Sequence, residues 1–184
     1  MKTGRSLVSA ALIAAAFAPL QGCVCANPPE TVAAVDINRY MGIWYEISKY
    51  PFFFERGLVG VTAEYTLNAD GTVQVVNRGF KETFDGELSE IVGKATVADK
   101  ETNAKLTVQF GPFPVGIFGS NYWIIMLGDD YEYAVVSSKG RDTLWILSRT
   151  PQMDAEVYNG IVAELAARGF DTSKLEPMPQ QPAV

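Results

Sequence analysis

Chemistry has few places to reside in this chain. Its 184 residues include no histidine and only two cysteines, Cys23 and Cys25. Beyond residue 25 the sequence therefore lacks thiol nucleophiles, soft metal ligands and the side chain best suited to moving protons near neutral pH. A zinc site or a Cys/His dyad in the folded part is excluded, and no cofactor is expected. The thiols stand directly behind an apolar run: Lys2 and Arg5 precede Leu7 to Leu20, and Gly22-Cys23 follows. That is the order of a secretory signal, and the run is short for a transmembrane helix. The net charge of −6 offers no basic surface to a phosphate backbone, so nucleic acid is not an expected partner.

Leu20-Gln21-Gly22-Cys23 resembles the lipobox of bacterial lipoproteins, in which the cysteine is acylated and becomes the new amino terminus. The resemblance implies a signal peptide over 1–22, lipid attachment at Cys23 and a lipidated tether over 23–35 containing Pro28-Pro29. The alternative is an ordinary signal peptide cut near Ala26. Valine rather than aspartate follows Cys23, which in the resembled class sends the protein to the outer membrane, and two or more acyl chains anchor stably where one is marginal. Removing residues 1–22 takes away Lys2 and Arg5 and no acidic residue, so the charge of −6 becomes about −8. Cys25 is left as an inert thiol or, in an oxidising periplasm, as the site of a disulfide between two copies and hence of a homodimer.

The elements that follow are short. From Ile43 to Arg149, β-branched and aromatic runs alternate with turn signals and show no long helical period. Strands are expected at 42–50, 60–68, 72–80, 90–98, 104–110, 120–127, 131–138 and 142–149. They are separated by turn-forming stretches such as Asn68-Ala69-Asp70-Gly71 and Ser138-Lys139-Gly140-Arg141. Eight such strands fit an all-β, antiparallel up-and-down barrel, which leaves no free edge and has an interior wide enough for one small ligand. After Arg149 the period changes. Val157, Ile161 and Leu165 recur every four residues, with Asp154 as amino-terminal cap and Gly169 as stop. This predicts one amphipathic α-helix packed outside the barrel, then a short edge strand over 170–175 and a proline-rich flexible tail over 177–184.

Asn38-Arg39-Tyr40-Met41-Gly42-Ile43-Trp44-Tyr45-Glu46-Ile47 resembles the Gly-x-Trp signature that opens the first strand of the lipocalins. Thr143-Leu144-Trp145-Ile146-Leu147-Ser148-Arg149-Thr150-Pro151 resembles their last-strand motif, and the distance between the two also matches. A middle motif is only partly present, with Asp129 or Asp130 and Tyr133 behind Gly128 where the family often has threonine. The match spans about 36–176 and is most similar to the bacterial outer-membrane lipoprotein lipocalins of the apolipoprotein D-like subgroup. Phe54-Glu55-Arg56-Gly57-Leu58 and Val76-Asn77-Arg78-Gly79 carry the same likeness. The resemblance implies a small-ligand carrier rather than an enzyme. It also implies structural roles for Gly42, for Trp44 as the plug of the closed end, and for Arg149 laid across that ring.

Side chains on a strand alternate faces, so one inward residue fixes its neighbours two away. With Arg149 inward, Leu147, Trp145 and Thr143 follow. The family's inward faces add Val61, Ala63 and Tyr65; Val73, Val75 and Asn77; Leu106, Val108 and Phe110; Tyr122, Ile124 and Met126; and Ala134 and Val136. The expected ligand-binding residues are Ala63, Tyr65, Val75, Asn77, Val108, Phe110, Tyr122, Ile124, Val136, Thr143 and Trp145, with Asn77 and Tyr122 orienting the ligand. The same parity turns Glu132 inward, and it is expected instead in water at the strand's open end. An apolar list of this kind suits a greasy ligand held by one or two hydrogen bonds; the alternative is side chains that meet and fill the barrel. Two apolar loops, Pro51-Phe52-Phe53-Phe54 and Gly111 to Phe118, form either a lid or a surface for membrane or partner.

The expected ligand is a single-tailed lipid, a fatty acid or a lysophospholipid, carried in envelope maintenance or stress. A haem or tetrapyrrole carrier would need Tyr65, Tyr122 or Met126 on the metal. An isomerase-like or de-epoxidase-like activity would lack a histidine or barrel cysteine.

Overall fold

The computed structural model describes residues 27–111 and 121–181; the signal segment, Cys23 and Cys25 lie outside them. Eight strands wind up and down in sequence order: β1 (Gly42–Lys49), β2 (Leu58–Leu67), β3 (Val73–Lys81), β4 (Leu88–Val97), β5 (Lys105–Phe110), β6 (Tyr122–Leu127), β7 (Tyr133–Ser137) and β8 (Leu144–Ser148). Every neighbouring pair is antiparallel. The barrel closes because β1 pairs with β2 through its first half, Gly42↔Tyr65 to Tyr45↔Thr62, and with β8 from Tyr45↔Ser148 onward. The β5–β6 ladder is short, Lys105↔Trp123 and Leu106↔Tyr122. Beyond it the Asn121 side chain takes over the ladder, accepting from Val108 N at 3.0 Å and donating to Val108 O at 3.1 Å.

Two apolar clusters result. Inside the barrel Trp44, Tyr65, Val73, Val75, Leu106, Ile124, Ala134 and Val136 pack together; outside it Ile125, Val135, Leu144 and Ile146 meet Ile161 and Leu165 of helix α2 (Ala155–Ala167). Asp154 caps α2, accepting from Glu156 N and Val157 N, and Gly169 leaves it at φ +80°, where a side chain would be strained. The alternation 124, 134, 136 against 125, 135 is the period of two read from the sequence. It breaks at one place: the β6–β7 register shifts between Ile124 and Met126, so Met126, expected inward, packs under α2 while Leu127 returns to the interior.

Three expectations at the ends need correction. The stretch 27–35, expected as tether, is docked on the barrel, from Asn27, whose carbonyl accepts from Arg141 Nε in the β7–β8 turn, to Val35 at the closed end. Val35 is buried and bonds Thr102 O through its amide at 2.7 Å, Val32 N bonds Ile124 O, and the single-turn helix α1 (Ile37–Tyr40), capped by Asp36, follows. The edge strand is not 170–175 but β9 (Glu176–Pro177), paired with Ser48 and Lys49. As far as Gln181 the tail is likewise not loose. Met178 is buried and donates to Ile47 O at 2.9 Å, Gly60 N donates to Pro179 O at 2.8 Å, and Gln180 Nε2 donates to Glu46 O and Val61 O. The prolines do not prevent this, because the Met178 amide and the Gln180 side chain supply the donors that the prolines lack. Glu132 is exposed, but in the turn before β7 at the closed end, where its carbonyl accepts from Arg149 N.

Candidate ligand-binding site

The inward faces enclose a cavity of about 440 Å³ opening beneath the loop 51–57. That volume lies within the range of small-ligand sites. Of the residues expected there, Ala63, Tyr65, Val75, Asn77, Val108, Phe110, Tyr122, Thr143 and Trp145 line it, together with Val61 and Leu147. Ile124 and Val136 do not. They face each other across β6 and β7, are fully buried, and fill the narrow end with Trp44 and Leu147, so inward direction alone does not make a cavity wall.

The residues of the two motifs meet at the closed end. Trp44 has no exposed surface and its Nε1 donates to Tyr40 O at 2.9 Å. Arg149 covers the ring and donates to Arg39 O at 2.6 Å, Ile43 O at 3.0 Å and Tyr131 O at 3.3 Å. Gly42 sits at φ +96°, and a Cβ there would stand 3.4 Å from Arg149 Nη1. Above this floor Tyr65 OH donates to Tyr122 OH at 2.9 Å, and Tyr122 shares a 2.7 Å bond with Tyr40 OH. Burial raises the pKa of all three phenols, so they remain neutral donors and acceptors.

At the mouth, Phe52 packs edge-on against Trp145 with centroids 5.3 Å apart, and Trp145 Nε1 points to Glu55 Oε2 at 3.5 Å. Phe53 and Phe54 are exposed, and Phe52, Phe54 and Leu58 line the opening. Of the second apolar loop, 112–118 lies outside the described residues.

One group of wall residues escapes the apolar reading. Glu46, 3% exposed, shares the inward face of Trp44 and lines the cavity beside Glu55. Burial, then the neighbouring Glu55 charge, raises its pKa well above the ordinary carboxylate value, and burial raises that of Glu55 against the pull of Lys49. The two carboxyls stand close together, and each acts on the other's protonation. Lys49, also buried, is turned to Glu176 at 3.3 Å. Glu46 Oε1, Asn77 Oδ1 and Thr143 Oγ1 are buried with no hydrogen-bond partner among the described residues, and all three residues line the same cavity. Composition hides this cluster, but alternation from Trp44 points to Glu46.

A closed antiparallel barrel, plugged at one end and hollow and apolar at the other, defines a binding protein for small hydrophobic molecules. Residues 35–180 match the lipocalin-like domain, and the chain belongs to the lipocalin family. It is 41% identical over 169 residues to the outer membrane lipoprotein Blc of Escherichia coli K12, covering 89% of this chain and 92% of that one. To temperature-induced lipocalin-1 of Arabidopsis thaliana it is 40% identical over 156 residues, 82% of each chain. Among solved structures, insecticyanin of the tobacco hornworm Manduca sexta superposes with a TM-score of 0.63 at 21% identity, over 84% of this chain and 85% of that one.

Proposed function

We propose that this lipocalin is a lipid-anchored carrier or store of a single-tailed lipid, of the fatty acid or lysophospholipid class, in the bacterial envelope, and that it is not an enzyme. The observation that carries the ligand class is the cavity itself, mostly apolar with Trp145 in its wall under a phenylalanine-lined opening. The lipobox-like Leu20-Gln21-Gly22-Cys23 and the likeness to outer membrane lipoproteins support acylation at Cys23 and an outer-membrane site facing the periplasm. A haem carrier draws no support from the site, because Met126 packs under α2 and the Tyr65 and Tyr122 hydroxyls bond each other. Titrating delipidated protein with fatty acids of increasing length tests the reading. Saturable binding that strengthens with chain length is expected; absence of saturable binding would overturn it.

A further inference from the structure

We propose that the cavity receives the hydrogen-bond-donating end of its ligand, a hydroxyl or an ammonium, on Glu46 and Asn77 in its interior. It then selects alkyl chains ending in such a donor over chains ending in a carboxylate or an ester. The inference rests on the reading of the barrel as a carrier of single-chain lipids and narrows it.

Strand register brings the two acceptors to one part of the wall. Trp44 of β1 is paired with Ala63 of β2, and Ala63 with Asn77 of β3. Glu46 is the next inward residue after Trp44 toward the mouth. Between Trp44 and Asn77 stands Ala63, which carries only a methyl group, while Glu46 lies beside Val61; Glu46, Val61, Ala63 and Asn77 all line the cavity. Both acceptors are unspent. Glu46 Oε1 and Asn77 Oδ1 are both buried without a hydrogen-bond partner among the described residues. Thr143 Oγ1 is also unpartnered on the cavity wall, but its hydroxyl can donate as well as accept and does not discriminate between end groups.

Buried polar atoms without partners weaken a fold and are uncommon, so three of them around one apolar cavity mark where a ligand supplies what the protein lacks. A hydroxyl or ammonium brings donors to these oxygens. A carboxylate brings further acceptors and a negative charge beside two carboxyls whose own ionisation burial already disfavours, and the nearby ammonium, Lys49, is held by Glu176. An ester brings acceptors alone.

The test compares dodecanol, dodecylamine, laurate and methyl laurate, equal in chain and different in end group, by calorimetry on delipidated protein. We expect at least one of the first two to bind about tenfold or more tighter than laurate and methyl laurate, the effect of one buried hydrogen bond to an otherwise unpaired acceptor. Glu46→Gln keeps the acceptor oxygen but cannot become an anion. Dodecanol affinity retained in that variant identifies the hydroxyl as donor, and selective loss of dodecylamine identifies the ammonium; both support the proposal. In Glu46→Leu/Asn77→Leu the preference should shrink to about twofold or less while the chain still binds, and melting checks that the variant folds. The wild-type comparison decides without it. Equal affinity for all four compounds, or tightest binding of laurate, overturns the inference while leaving the carrier reading intact. Failure of all four to bind overturns both.

Discussion

The guanidinium carbon of Arg149 lies 3.8 Å from the centroid of the Trp44 ring, and the same group reaches carbonyls of the α1 segment, β1 and the turn before β7. One side chain thus joins three elements at the plugged end, well below the cavity. Arg149→Ala uncovers the ring and leaves those carbonyls short of a donor, at a cost of about 1–3 kcal/mol. Thermal melting should fall by several degrees, with ligand affinity measured below the transition unchanged. Arg149→Lys should not restore it, because an ammonium cannot stack and fork in the same way. A variant of full stability with collapsed affinity would reverse the assignment.

Glu46 and Glu55 give stability an unusual pH dependence. Both have pKa values raised from the ordinary 4.5. Above that value the folded protein binds more protons at these sites than the unfolded chain does, so their effect on stability is unfavourable and grows as pH rises from about 4.5 through the raised values. Asp70 has the opposite sign: bonds from Thr72 lower it to about 2, and its contribution is lost only on acidification below its ordinary 3.8. Melting temperature should therefore be lower at pH 8 than at pH 5, and Glu46→Gln should flatten that slope. A variant with the wild-type slope would show that the pair does not control it.

The barrel was legible because closure, alternation and turn chemistry all leave local marks. Every strand from Gly42 to Ser148 falls within two residues of its expected bounds, and the Asp154 cap and Gly169 stop lie where propensity places them. Alternation failed at Met126, since a bulge adds a residue without changing composition; Ile124 and Val136 face inward as expected but do not line the cavity, since direction does not tell depth. Glu46 was overlooked because a glutamate in a strand reads as an outward residue, although Trp44 two positions earlier already fixes its face. The docking of 27–35 and 176–181 depends on partners more than sixty residues away, such as Thr102 for Val35 and Glu46 for Gln180, and no periodicity within either segment encodes it.

Gln180 turns the tail into part of the barrel. Its amide donates to Glu46 O at 2.9 Å and Val61 O at 2.8 Å, bridging β1 and β2 where their own ladder has ended. Gln180→Ala leaves two carbonyls without this donor, and about 1–2 kcal/mol of stability should be lost in denaturant melts. Protection of the Gly60 amide, bonded to Pro179 O, should fall in hydrogen exchange. Unchanged exchange at Gly60 would show that the tail does not need this anchor.

Cys23 carries the anchoring proposal alone. Cys23→Ala should abolish incorporation of labelled palmitate and leave uncleaved or soluble protein, since stable membrane residence takes more than one acyl chain. Unchanged partition into membranes would refute acylation at this residue.

Trp145 reports on the cavity because the other two tryptophans do not face it. Trp44 lies beneath Arg149 in the floor, and Trp123 packs in the cluster between the barrel and α2, with Lys105 Nζ 4.7 Å from its ring centroid. Trp145 stands in the wall with Phe52 against it, so a chain threading the mouth meets its ring. Each buried methylene is worth about 0.8 kcal/mol before ordering costs, so two more carbons should raise affinity roughly three- to tenfold until the cavity is full. Fluorescence titration of delipidated protein should show saturable quenching whose midpoint falls with chain length. In Trp145→Phe the quenching should disappear, while calorimetry still detects binding. Quenching that survives the substitution, or affinity that ignores chain length, would show that the acyl chain does not lie against Trp145.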